Sequence, residues 1–277
     1  MEKQIDKSKK SNQAIKVDSP FVKQLKKDSY ILRAMVKKNF KAQYRNSMLG
    51  VLWTVLNPLL NMIVLSLVFS RLFQREAVGI YPVYLFCGQL MFNMMRQITT
   101  QSLNCLVSNS GLIKKVKINY AVFPVSNMFT ALVNFGVAFV ALIIVMIIVG
   151  QTFHWTIILT VLIIPAVLLF SLGLGYILSS LYVFFRDVKH LYDVGITLWM
   201  YLTPIFYTAA ALNNPTVSTV ININPMTHFV TAFRNVIQWG VIPSATEFLI
   251  CYAWAFGMLA LGYMIFKLNR RKYILYI

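Results

Sequence analysis

The side chains with chemical potential in this sequence are amides and aromatic rings, set in long apolar stretches. Gln89, Asn93, Gln97, Gln101 and Asn104 recur at three- or four-residue spacing. That spacing puts them on one helix face, with Arg96 and Thr100 flanking it. Amides and a guanidinium bind by hydrogen bonding, and they need partners that lipid cannot supply. Two readings follow: glue between helices, or the lining of a polar conduit. A second stripe, Tyr192, Trp199 and Phe206, repeats every seven residues, with Tyr201 and Tyr207 nearby. Trp and Tyr commonly form belts at membrane interfaces. Trp199 falls in mid-segment, where a belt does not account for it. An aromatic face there offers a stacking surface for sugar C–H groups.

Patterns for covalent or metal chemistry are missing. The sequence has no G-x-x-x-x-G-K-[ST] phosphate loop, no G-x-S-x-G and no H-E-x-x-H. Cys87, Cys105 and Cys251 lie singly in apolar sequence and give no disulfide framework or metal spacing. His154, His190 and His228 are isolated. Among the eight acids, only Asp187 and Asp193 lie near apolar segments, beside Arg186 and Lys189. A proton- or sodium-coupled carrier usually needs a carboxylate inside the membrane, and none is visible away from the ends of a span. The expectation is a chain that is not an enzyme and binds no metal or cofactor itself.

These residues must be positioned by membrane-spanning helices. The 277 residues are 58% hydrophobic and only 12% charged, against about 25% in soluble domains. Yet 26 Lys and Arg face 8 Asp and Glu, a net charge of +18. A soluble enzyme explains neither fact. A nucleic-acid binder explains the charge alone. A membrane protein with its basic residues on one side explains both. Charge-free runs of about 20 residues mark six spans, at about 51–69, 84–106, 123–149, 155–185, 191–212 and 247–267. With that assignment 22 of the 26 basic residues fall on one side, 13 of them ahead of the first span. The expectation is an all-α, multi-pass protein with both termini in the cytoplasm. Arg96 is the basic residue that this rule leaves inside the membrane.

Two helices should not span. Residues 1–27 read as a disordered polar extension. Residues 28–45 form an amphipathic helix, with Ile31, Leu32, Met35, Val36 and Phe40 apolar and Arg33, Lys37, Lys38 and Lys41 between them. Asp28 or Ser29 is a candidate cap for it, and Pro20 suits the first turn of an earlier helix. It serves either as an anchor on anionic lipid or as a docking surface for a cytoplasmic partner. Between spans five and six, Asn224-Pro225 reads as a cap and first turn for a short re-entrant helix over Met226–Ile237. That places Asn222, Asn224, His228 and Arg234 near the outer mouth of the bundle.

Several segments together resemble a known family. Residues 44–60, Tyr-Arg-Asn-Ser-Met-Leu-Gly-Val-Leu-Trp-Thr-Val-Leu-Asn-Pro-Leu-Leu, are similar to the start of the permease subunits of ABC-2-type polysaccharide exporters. Ser110–Lys115, Phe185–Leu191, Thr203–Tyr207 and Asn224–Arg234 resemble later parts of the same family, in the same order. The resemblance covers about Asp28 to Ile277. It implies six spans, an N-terminal interface helix and short outer helices. It also implies a homodimer carrying two copies of a separate cytoplasmic ATPase, which holds the ATP and Mg. The implied cargo is an undecaprenyl-diphosphate-linked polysaccharide, such as O-antigen, teichoic acid or capsule, crossing the bacterial cytoplasmic membrane. Trp53, Tyr201 and Tyr207 would then touch glycan. Gln89, Asn93, Arg96, Gln97 and Trp199 would line the conduit, and Arg45 and Arg96 would meet diphosphate. Tyr30, Arg33, Lys37, Lys38, Phe40, Lys114, Lys115, Arg186 and Asp187 would couple to the ATPase. Export of a small lipid or drug by the same architecture is the rival reading.

Overall fold

Apolar sequence broken by Gly, Pro and Asn gives helices and short connections throughout. The structure, a computed structural model, describes residues 20–43, 50, 52–69, 80–116, 118–208 and 215–277. In chain order the helices are α1 (Pro20–Gln43), α2 (Leu52–Phe69), α3 (Tyr81–Leu103), α4 (Cys105–Ser108), α5 (Ser110–Lys115) and α6 (Val122–Val149). A 3-10 turn (Trp155–Leu159) leads into α7 (Thr160–Phe184). Then come α8 (Val188–Leu202), α9 (Pro215–Ile223) and α10 (Pro225–Arg234). A π-helical turn (Asn235–Trp239) precedes α11 (Ala245–Tyr276). No strand occurs among the described residues.

Three of these segments are long and apolar enough to cross a bilayer: Val122–Val149, Trp155–Phe184 and Ala245–Tyr276. With α2 and α3 beside them, they make a multi-pass membrane bundle. α3 is its hub, packed against α2, α6, α7, α8 and α10. Its inner face buries Phe86, Met91, Phe92, Met95 and Ile98, all at most 0% exposed. Of its amides, Gln89 is also buried, whereas Asn93 is exposed. α7 and α11 cross at closest approach, because Gly173 and Gly262 lack side chains. A Cβ on either glycine would meet backbone of the facing helix. Small residues at such crossings let backbones pack where no hydrophobic effect operates between helices. Gly150 ends α6 at φ +76, a left-handed conformation that other residues avoid. Ser244 and Glu247 form a reciprocal capping box at the start of α11.

A second core lies at the other end of the bundle. Met35 of α1 packs there with Leu106, Ile113, Phe123, Tyr176, Phe266 and Tyr273. α1 therefore joins the bundle by Met35 and Ile31, and runs along α6.

Four boundaries differ from the sequence expectation. Residues 20–27, expected within the disordered extension, belong to α1. Helix-forming Lys, Gln and Leu follow Pro20, and neither Asp28 nor Ser29 interrupts the helix. The expected span 84–106 ends at Leu103, where Asn104 turns the chain into α4. The expected span 191–212 stops as a helix at Leu202, so α8 is only 15 residues, about 22 Å. Thr203 is extended ahead of Pro204, and the helix ends there. The last helix runs past 267 to Tyr276. Residues 1–19 lie outside the described residues.

Candidate functional site

The polar face of α3 borders a row of cavities. One, of about 330 Å3, is lined by Trp53 and Asn57 of α2, Asn93 and Gln97 of α3, Asn134 of α6 and Gln43 of α1, among others. A second, of about 270 Å3, is lined by Asn61, Gln89, Asn93, Arg96, Tyr201 and Phe206, with apolar neighbours. Asn93 lines both, so they lie on either side of one residue. Helical periodicity explains this, since residues 89, 93, 96, 97 and 101 sit within one sector of α3.

Arg96 is exposed at this surface and has no hydrogen-bond partner among the described residues. Tyr201 is 59% exposed and Trp53 39%, so both rings present accessible faces beside the cavities. Gln89 Oε1 and Gln97 Nε2 are buried without partners. A buried amide atom left in that state costs about 1–3 kcal/mol unless water or a ligand meets it. The exposed flanks are apolar: Ile63, Val64 and Leu67 on α2, and Leu191, Val194 and Leu198 on α8. Among the described residues, the arrangement is a hydrogen-bonding groove with aromatic plates and one free cation, between oily walls. It can bind and guide a polar chain.

Other expected site residues are placed as structural fasteners. Trp199 is half-buried, with its indole edge-on to Phe170, and its Nε1–H donates to Asn224 Oδ1 at 2.8 Å. The same Asn224 oxygen accepts from Met226 N at 3.0 Å and caps α10. Asn224 Nδ2 donates to Thr203 Oγ1 at 3.0 Å. Trp199 is thus a strut between α8 and α10, not a free stacking plate. Pro225 occupies the first turn of α10, and His228 Nε2 lies 2.9 Å from the Asn222 carbonyl. Tyr207 donates to the Tyr201 carbonyl at 2.9 Å and accepts from Tyr84 through its own carbonyl at 2.8 Å.

Arg234, expected at an outer mouth, is only 5% exposed. Its nitrogens donate to the carbonyls of Tyr84 at 3.1 Å, Pro204 at 2.6 Å and Ile205 at 2.9 Å. Its guanidinium lies 3.4 Å from the centre of the Tyr84 ring. In the irregular backbone after α8, Arg234 satisfies the Pro204 and Ile205 carbonyls, and Tyr81 and Tyr84 donate to those of Phe206 and Tyr207. Gly88 leaves the room, since a Cβ there would sit 2.6 Å from Arg234 Nη2.

The expected coupling residues divide between two surfaces. Tyr30, Arg33, Lys37 and Lys38 are exposed along α1, and Phe40 is half-buried. Lys114 and Lys115 end α5, and Arg186 and Asp187 precede α8. Lys114 Nζ donates to the Ile277 carbonyl at 3.1 Å, and Arg186 Nη2 to that of Tyr276 at 3.3 Å. The end of α11 therefore bridges both loops, which their sequence separation conceals. Arg45 lies outside the described residues.

Sequence reasoning missed several polar partners. Asn39 Nδ2 donates to Asn127 Oδ1 at 2.9 Å, and Asn134 Nδ2 to Gln43 Oε1 at 2.9 Å. These amides occur singly on basic or apolar helices. Only their isolation in apolar sequence on α6 signalled them. Tyr192 also donates to Thr99, tying α8 to α3.

Known proteins match this chain over most of its length. The family model described as ABC-2 type transporter matches residues 30–237. The O-antigen export system permease protein RfbA of Myxococcus xanthus is 28% identical over 244 residues, covering 88% of this chain and 94% of that protein. A Klebsiella pneumoniae protein of the same name is 29% identical over 245 residues, covering 88% of this chain and 92% of its own. The family match spans well over half of the chain: this chain belongs to the ABC-2 type transporter family.

Proposed function

We propose that this chain is the permease subunit of an ABC transporter that exports a lipid-linked polysaccharide, such as an O-antigen or teichoic acid, across the bacterial cytoplasmic membrane. The observation that carries the reading is the groove along α3, where amides and exposed aromatic rings meet one free guanidinium. Amides match sugar hydroxyls, Trp53 and Tyr201 match sugar C–H faces, and Arg96 matches a diphosphate. The relatives named as O-antigen export permeases support the same class of cargo. An exporter of small apolar lipid or drug would have no use for a row of amides.

In this reading six segments span, both termini are cytoplasmic, and two copies of the chain face each other across the exposed sides of α2 and α8. Two ATPase subunits bind ATP and Mg, and dock below α1, α5 and the Arg186–Asp187 turn. Closure of the ATPases pushes on these elements. Because the end of α11 is bonded to both loops, the push reaches α8 and α11 together. α8 then moves relative to α2, and the groove opens to the chain of sugars. Arg45, just ahead of the first span, is a second cation for the diphosphate.

Deletion of this gene together with its ATPase tests the reading. Loss of one surface glycan, with its lipid-linked precursor accumulating inside the cell, is the expected result. An unchanged surface with altered sensitivity to a small hydrophobic drug would reject it.

A further inference from the structure

A third cavity, of about 340 Å3, lies at the α4 end of the α3 groove, walled on one side by α1. Its volume is at the lower end of ligand pockets. Its polar lining is almost wholly amide: Asn39 and Gln43 from α1, Gln101, Asn104 and Asn109 from the α3–α5 segment, and Asn127 from α6. Among the described residues, no acidic or basic side chain lines it.

Two of these amides are incompletely bonded. Asn127 is 6% exposed; its Oδ1 accepts from Asn39, but its Nδ2 is buried without a partner. Gln101 Oε1 is likewise buried and unpaired. One turn along α3, Gln97 Nε2 is a third such atom, beside the neighbouring cavity. The site thus offers an unpaired donor and an unpaired acceptor, both uncharged. An anion would find no cation in this lining, and an apolar group would leave the amides unmet. A ligand that both donates and accepts without charge fits both conditions. Hydroxyl groups do so.

Besides the packing of Met35 and Ile31, side-chain hydrogen bonds hold the wall at three places. Lys38 donates to Asn109 at 3.1 Å, Asn39 to Asn127, and Asn134 to Gln43. Gln43 also lines the cavity that contains Trp53, so the chamber adjoins the groove already described.

We infer that this α1-walled amide chamber is a binding subsite, within one copy of the chain, for an uncharged hydroxyl-rich group: a sugar unit of the cargo before it reaches the Trp53 groove. The inference rests on the polysaccharide-export reading. α1 then serves as a side wall that grips sugar as well as a docking element for the ATPase.

The test uses the full chain with its ATPase in cells that make their own glycan. The photoreactive residue p-benzoylphenylalanine is placed at Ala42 in the chamber, at Trp53 in the groove, or at Leu268, an exposed position on α11. After illumination the permease is purified in denaturant and stained for carbohydrate. Sugar-bearing adducts at Ala42 and Trp53, but not at Leu268, are expected. The double variant Gln101→Leu with Asn104→Leu should lower the Ala42 adduct about tenfold, as loss of two hydrogen bonds implies. Asn104→Ser adds no bulk and should lower it less, in the same direction. Co-purification of the ATPase reports that each variant is assembled. An adduct at Trp53 with none at Ala42 overturns the chamber and leaves export standing. An Ala42 adduct carrying lipid without sugar, or one undiminished in assembled variants, also overturns it. Adducts at neither site overturn the chamber and the polysaccharide reading together.

Discussion

Replacement of Arg234 by Met tests how the bundle holds its broken fifth segment. The chain leaves α8 at Leu202; the Thr203 N–H makes the last helical bond, to Trp199, and Pro204 and Ile205 continue without one. Arg234 supplies the missing donors to the Pro204 and Ile205 carbonyls, and a third to that of Tyr84. Each orphaned carbonyl costs about 1–3 kcal/mol. Removing the desolvated charge returns part of that. The net loss is on the order of 4 kcal/mol, or roughly 10 °C in melting temperature. Arg234→Lys keeps the charge but loses the planar fork, so it should fall about halfway between. Differential scanning fluorimetry of the purified permease with its ATPase measures both. A Met variant melting within about 2 °C of the parent, with Lys no better, would refute the reasoning. It would mean that water already serves these carbonyls.

Four further outcomes are expected. Gly262→Ala places a Cβ against the Gly173 carbonyl and should cost about 1–3 kcal/mol by pushing α7 from α11, read as a lowered melting temperature. Arg96→Ala should reduce glycan export with normal assembly, measured by surface glycan and by ATPase co-purification; unchanged export would remove Arg96 from the conduit. Trp199→Phe keeps the ring against Phe170 but loses the bond to Asn224, and should cost about 1 kcal/mol in the same melting assay. Lys114→Ala with Arg186→Ala frees the end of α11 from both loops, and should weaken coupling, seen as ATP hydrolysis that no longer tracks export.

The bundle's long apolar helices were legible from the sequence because charge-free runs and Gly breaks are local signals. The α3 stripe was legible for the same reason: period 3.6 placed Gln89, Asn93, Gln97 and Gln101 on one face before any partner was known. What faces the stripe was not. Asn39 and Gln43 are two amides in a basic helix, and Asn127 and Asn134 two in an apolar one. Their pairing exists only once α1 lies along α6. The early end of α8 was hidden similarly. Pro204 reads as a kink in a long apolar run, but the carbonyls around it are held by Arg234, thirty residues on. Trp199 shows a second partner that spacing could not reveal. Its place in an aromatic stripe suggested an open plate, whereas its indole N–H is spent on the cap of α10.

The central claim is that this chain, with its ATPase, moves a lipid-linked polysaccharide through the α2–α3–α8 groove. Purified permease and ATPase in proteoliposomes, supplied with fluorescent lipid-linked glycan on the ATPase side, test it directly. The account predicts ATP-dependent appearance of glycan on the far side, reduced by Trp53→Ala and Tyr201→Ala with ATP hydrolysis retained. Transport of a small lipid in place of the glycan, or glycan transport untouched by both substitutions, would contradict it.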